Sequence, residues 1–103
     1  MQILILSKEY ITHTVQDFFK DKPVKKVFLF GSYARGEANE KSDVDLFLVL
    51  DEDRKVNFFE MAGMWQDFQD TLKKNVDLVH QHPFLKERFT NYINKDKILL
   101  FEK

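Results

Sequence analysis

Apolar residues recur along this chain in two rhythms, and the switches between them predict its elements. Ile11, Val15, Phe18 and Phe19 recur at helical spacing, which lines up one buried face. Ser7 suits the N-cap and Pro23 ends the run, so a helix is expected to about Lys20. VKKVFLF, residues 24–30, reads as a strand that Gly31 ends, and residues 32–38 as a turn or one-turn helix. DVDLFLVL, residues 43–50, is apolar on both faces after its opening acids, as in a central strand covered on two sides. DEDR then forms a polar turn with acids at the next helix start. From about 54 to 73, Met61, Trp65, Phe68 and Leu72 mark one helical face, widened by Phe58 and Ala62. NVDLVH, residues 75–80, is a third strand. Pro83 is expected to start a helix running to about Asn94, with Leu85, Phe89, Tyr92 and Ile93 inward. KILLF, 97–101, fits a last short strand or a docked tail, and the leading MQILIL a short strand or a lead-in.

This order of helix, strand, turn, strand, helix, strand and helix predicts an α/β fold (α+β by stricter schemes). Its core is a small mixed sheet covered by helices, in a single domain spanning residues 1–103. Composition adds that the core is aromatic, since the chain has 11 phenylalanines among 103 residues. A net charge of −1 supplies no global field toward nucleic acid or a membrane. With no cysteine, disulfides and thiolate metal sites are excluded. MQILIL is too short for a signal peptide and no apolar run reaches the length of a membrane span, so a cytoplasmic location is expected.

The chemistry gathers in FGSYARGEANEKSDVDLFLVL, residues 30–50. In a strand, side chains at i and i+2 share a face, so Asp43 and Asp45 project together at the entrance of an apolar strand. Two adjacent carboxylates raise each other's pKa unless a cation lies between them. Hard oxygen ligands suit magnesium, which takes one or two carboxylates and completes its shell with water and phosphate. Asp77 interrupts the apolar run of Val76, Leu78 and Val79. It is the candidate third carboxylate, placed to bridge a second ion or to orient an attacking hydroxyl.

The turn before these acids fits the other half of such a site. Gly31 lets a ligand approach the backbone. Ser32 offers a hydroxyl and an N–H, and free N–H groups at the start of a short helix over 32–36 would face an anion. Arg35 can reach a phosphate with two parallel bonds, and Gly36 lets the chain bend away. Taken alone, a Gly-Ser turn is an ordinary turn and the Ser42-Asp43 pair an ordinary strand-start cap. Together, and with a lone acid in a later strand, they read as a phosphate cradle followed by a metal seat.

The same residues resemble a known family. GSYARGEANEKSDVDLFLV is similar to the nucleotidyltransferase signature of Gly-Ser, then Arg-Gly, then Ser-Asp-x-Asp-Leu. This is the DNA polymerase β-like superfamily, and the Ala-Arg-Gly form in a short chain resembles its minimal nucleotidyltransferase (MNT) branch. The resemblance implies the polymerase β-like nucleotidyltransferase fold. It implies that Gly31 and Ser32, with Arg35, Gly36 and Ser42 beside them, bind ATP. It also implies that Asp43, Asp45 and Asp77 form a catalytic triad holding magnesium, with two ions expected. The implied reaction moves AMP from ATP to a hydroxyl and releases pyrophosphate. Tyr33 stands where many relatives carry a basic residue.

Larger relatives carry an acceptor-binding domain for which this chain has no room. A partner protein or a dimer-mate is therefore expected to present the hydroxyl. In the minimal branch the resemblance implies an antitoxin that adenylylates a tyrosine of a HEPN-domain toxin. The competing readings are an antitoxin acting by contact alone, and transfer to RNA or to a small molecule such as an aminoglycoside. No basic track for RNA is evident, since Lys86, Arg88, Lys95 and Lys97 fit a solvated face. His80, His82 and His13 read as surface histidines, and Met61, Trp65 and Phe68 as core rather than an adenine slot.

Overall fold

A computed structural model describes residues 5–103; the expectation for MQILIL falls mostly outside these residues. The elements run α1 (Lys8–Phe19), β1 (Val24–Phe30), α2 (Gly31–Arg35), β2 (Val44–Leu50), α3 (Phe58–Leu72), β3 (Val76–His80), α4 (Glu87–Asp96) and β4 (Ile98–Glu102). The sheet order is β3-β2-β1-β4. β1 runs antiparallel to both β2 and β4, while β2 and β3 are parallel, with α3 as the crossover between them. The small mixed sheet covered by helices is the architecture expected, and the tail is its fourth strand.

Local chemistry explains the element ends. Ser7 caps α1, its hydroxyl oxygen accepting from Tyr10 N at 3.0 Å. Asn57 caps α3 in the same way, accepting from Glu60 N at 2.8 Å. That cap corrects the expected helix start at 54: the helix begins only where a side chain can satisfy its first N–H groups. Likewise α4 begins at Glu87 and not at Pro83, because residues 82–85 form a separate turn in which Leu85 N donates to His82 O at 3.1 Å.

Each face of the sheet has its own core. On one face Val27 and Leu29 of β1 and Val44, Leu46 and Leu48 of β2 meet α1 and α3. Phe18, Phe19 and Phe68 interlock there with ring centroids 4.9–5.2 Å apart. On the other face Phe30 and Phe47 pack on Ile93 of α4, flanked by Phe28, Val49, Val79 and Leu85. β2 is thus covered on both sides, as its doubly apolar pattern requires. Two expectations for the core fail. Phe58 is 78% exposed and Trp65 39% exposed, because α3 turns Met64, Phe68 and Leu72 to the sheet instead. Phe89 and Tyr92 are also exposed, leaving Ile93 as the buried residue of α4. Among the described residues no helix is long and apolar enough to cross a membrane.

Phe68 is fully buried where α1 and α3 meet. Phe68→Ala is expected to cost about 3–5 kcal/mol, read as a lower urea midpoint at unchanged slope.

Candidate active site

The two central strands bring the acids together. In the antiparallel register of β1 and β2, Phe30 faces Asp45; in the parallel register of β2 and β3, Asp45 faces Asp77. Parallel neighbours lie about 4.8 Å apart, so these two carboxylates leave adjacent backbones on the same side of the sheet. Asp43 lies two residues before Asp45, just ahead of β2, and shares its side. Asp43 and Asp77 are exposed, whereas Asp45 is half-buried.

Gly31 closes the site from the β1 side. Its φ is +74°, and a Cβ placed there would lie 2.1 Å from Asp45 Oδ2. Glycine is therefore required twice: for the backbone angle, and for the space that the carboxylate fills. From Gly31 the chain enters α2, whose N-cap position, Phe30, offers no side-chain bond to the first N–H groups. α2 ends on Gly36, also at φ +74°. Tyr33 is buried and anchors the turn, its hydroxyl accepting from Leu6 N at 3.2 Å.

The electrostatics record the convergence. Burial first, then Asp77, then Asp43 push the Asp45 carboxyl from 3.8 up to about 6, with Arg35 pulling it down. The donor set is hard oxygen carrying mutual repulsion, which a divalent cation relieves. Among the described residues, no group of three His, Cys, Asp or Glu side chains closes into a ready-made metal cage. The donor chemistry of Asp43, Asp45 and Asp77 fits a hard cation that completes its shell with water and phosphate oxygens.

The other sequence candidates are placed differently. Ser32 lies in α2 directly after Gly31 and is partly exposed. Ser42 spends its hydroxyl in its own turn, accepting from Asn39 N at 2.9 Å. Arg35 is tied down. Its Nε donates to Glu37 Oε1 at 2.9 Å, and its Nη1 reaches both Tyr92 OH at 3.5 Å and Asp96 Oδ2 at 3.6 Å. Sequence reasoning missed this tether to α4, although Tyr92 and Asp96 stand four residues apart on one helical face. It also missed a groove of about 330 Å³ that Asp77 lines together with Phe58, Met61, Ala62, Trp65 and Leu78. The signal was an apolar arc on α3 too wide for one buried face, running from Phe58 and Met61 through Met64 and Trp65 to Phe68.

Comparison with known proteins places this fold in a family. The sequence profile of the family described as Polymerase beta, Nucleotidyltransferase matches residues 13–103. A Methanocaldococcus jannaschii protein provisionally named a protein adenylyltransferase is 38% identical over 73 residues, covering 66% of this chain and 73% of that one. A solved structure provisionally described as a minimal nucleotidyltransferase is 26% identical, with a TM-score of 0.67, covering 90% of this chain and 95% of that one. The fold is also shared, at a TM-score of 0.61 and 17% identity, with a chain of a tri-AMPylated Shewanella oneidensis HEPN toxin in complex with its MNT antitoxin. That match covers 92% of this chain and 69% of the other. The chain belongs to the polymerase β nucleotidyltransferase family.

Two outcomes follow. Gly31→Ala is expected to lower stability by about 1–3 kcal/mol, and to displace the Asp45 carboxylate; urea unfolding and the Asp45 carboxyl NMR shift check this. For pH, the unfolded chain ionises Asp45 near 3.8 and the folded chain at about 6. Between those values the folded state holds more protons, so this group's effect on stability declines as pH rises through that window and stays unfavourable above it. Melting curves of ion-free protein are expected to show that decline, and Asp45→Asn to flatten it.

Proposed function

We propose that this protein is a magnesium-dependent adenylyltransferase that moves AMP from ATP to a tyrosine hydroxyl of a HEPN-domain toxin, acting as its antitoxin. One observation carries the reading: Asp45 is held half-buried between Gly31 and Asp77 with its carboxyl raised to about 6, an arrangement with no packing benefit. The shared family supports nucleotidyl transfer, and the name of the Methanocaldococcus relative supports adenylyl transfer to protein. The Shewanella complex supports the HEPN partner. The reading puts the chain in the cytoplasm, beside its ATP, in a complex with the toxin.

In the proposed reaction, Ser32 and the uncapped N–H groups of α2 hold the triphosphate against Gly31. Asp43 and Asp45 would hold the magnesium, and Asp77 would share a second ion. When bound, the metal would neutralise charge at the phosphates and lower the pKa of the acceptor hydroxyl. Asp77 accepts the hydrogen bond of that hydroxyl and aims it at the α-phosphorus. A new bond forms between the acceptor oxygen and the α-phosphorus while the bond to the β-phosphate oxygen breaks. Pyrophosphate leaves, and the hydroxyl proton passes to solvent by way of Asp77. Arg35 keeps Tyr92 and Asp96 as its partners and contributes positive charge beside Asp45. Ser42 holds the turn that delivers Asp43.

The test is intact mass of a HEPN-domain toxin co-expressed with this chain. The toxin is expected to gain one or more AMP units, and Asp43→Asn to lower the transfer rate at least about 100-fold. A toxin silenced without added mass, or silenced equally by the Asp43→Asn chain, would point to neutralisation by contact. Labelled ATP that marks RNA or an aminoglycoside and no protein would overturn the acceptor.

A further inference from the structure

We propose that the groove between α3 and the open edge of β3 receives an extended, apolar segment of the protein substrate, which pairs with the backbone of Leu78 and so brings the acceptor hydroxyl to Asp77. This rests on the protein-acceptor reading above and adds where that protein docks.

The first observation is the edge itself. β3 is an outer strand. Its ladder to β2 is bracketed by Val44 N donating to Asn75 O at 3.0 Å and Gln81 N donating to Leu48 O at 2.9 Å. In a parallel ladder the N–H and C=O of one residue point to the same side, and that side alternates along the strand. Asn75, Asp77, Val79 and Gln81 therefore face β2, and Val76, Leu78 and His80 face outward. α3 satisfies both outward groups of Val76. Val76 N donates to Gln69 Oε1 at 2.9 Å, and Trp65 Nε1 donates to Val76 O at 2.7 Å. Leu78, one outward position further on, receives no such cap from α3. It presents a donor and an acceptor side by side in a groove that is otherwise apolar. Such a pair is the template for strand addition.

The second observation is the wall. Phe58 and Phe59 are 78% and 82% exposed and pack edge to face, with centroids 5.9 Å apart, at the start of α3. Together with Trp65 and the half-buried Met61 they make an apolar surface beside the Leu78 position of the β3 edge, the kind of surface that marks an interaction site. Alternate side chains of an added strand would lie on it.

Charge and position choose the occupant. The groove's lining includes one carboxylate, Asp77, and no cation. Such a wall repels a nucleotide's phosphates or an RNA backbone and accepts an uncharged peptide. The Gly31–Ser32 turn follows β1, on the opposite side of β2 from β3. α3 packs on one face of the sheet and the carboxylates project from the other, so those side chains of an added strand that do not lie on the α3 wall stand on the face of Asp77.

Trp65 is the chain's single tryptophan and lines the groove, so its fluorescence reports occupancy without any turnover. The probe is an acetylated, amidated peptide of alternating valine and threonine around one tyrosine. It is expected to shift Trp65 emission saturably to the blue, while magnesium-ATP alone leaves the emission unchanged. Phe58→Ala with Phe59→Ala is expected to weaken peptide binding at least about tenfold, with circular dichroism unchanged because both rings stand in solvent. The same peptide with N-methylated backbone amides is expected to bind more weakly than its parent. No saturable shift, a shift with magnesium-ATP alone, or equal affinity in the double variant would overturn the docking proposal. The Asp43→Asn chain separates the two readings, since it is expected to lose AMP transfer while keeping the emission shift. A wild-type chain that shows the shift but transfers no AMP would remove the proposed activity and leave the groove standing.

Discussion

The half-burial of one carboxylate, Asp45, is the constraint around which this fold is arranged. A carboxylate leaving water loses hydration, and two further carboxylates in its neighbourhood make its ionised form costlier still. Packing alone would favour an apolar residue at that position, as in the rest of β2. The chain instead leaves out a side chain at Gly31 and accepts a left-handed backbone there to make room for the acid. Both concessions are intelligible if the functional state brings a cation and phosphates to the same point.

Sheet topology makes the convergence possible. Asp45 and Asp77 are distant in sequence, and only the parallel pairing of β2 with β3 sets them opposite one another. Only the antiparallel pairing of β1 with β2 sets Phe30 against Asp45 and hence Gly31 over its carboxylate. α3 serves both ends of this arrangement. Its inner face closes the core through Phe68 and Leu72, and its outer residues Trp65 and Gln69 cap the first residue of β3. α4 covers the face from which the acids project, and Tyr92 and Asp96 on it hold Arg35 near, but not on, the carboxylates.

Much of this was legible in the sequence, for reasons that are local. The i and i+2 spacing of Asp43 and Asp45, and the lone acid in the apolar run around Asp77, speak directly through strand periodicity. Strand β1 and the doubly covered β2 announce themselves through their apolar density. The remainder depended on tertiary placement. Periodicity marks α3 as apolar over a wide arc but does not say which part of that arc meets the sheet. The spacing puts Trp65 and Phe58 in the core, whereas in the fold Met64 takes the inner position. Helix starts were placed too early because the deciding features were the Asn57 cap in one case and a local turn after His82 in the other. The close approach of Gly31 to Asp45 needs the β1–β2 register, and the capture of Arg35 needs the position of α4; neither is a property of any short segment.

The most direct measurement is an NMR titration of the Asp45 carboxyl carbon, in ion-free protein and again with magnesium and a non-hydrolysable ATP analogue. The account predicts a midpoint of about 6 without ligand. It predicts a fall below the ordinary carboxylate range once magnesium and the analogue are present, because a bound cation reverses the repulsion from Asp77 and Asp43. An unchanged midpoint would contradict it, since the carboxylates would then be meeting for some purpose other than holding a metal-bound nucleotide.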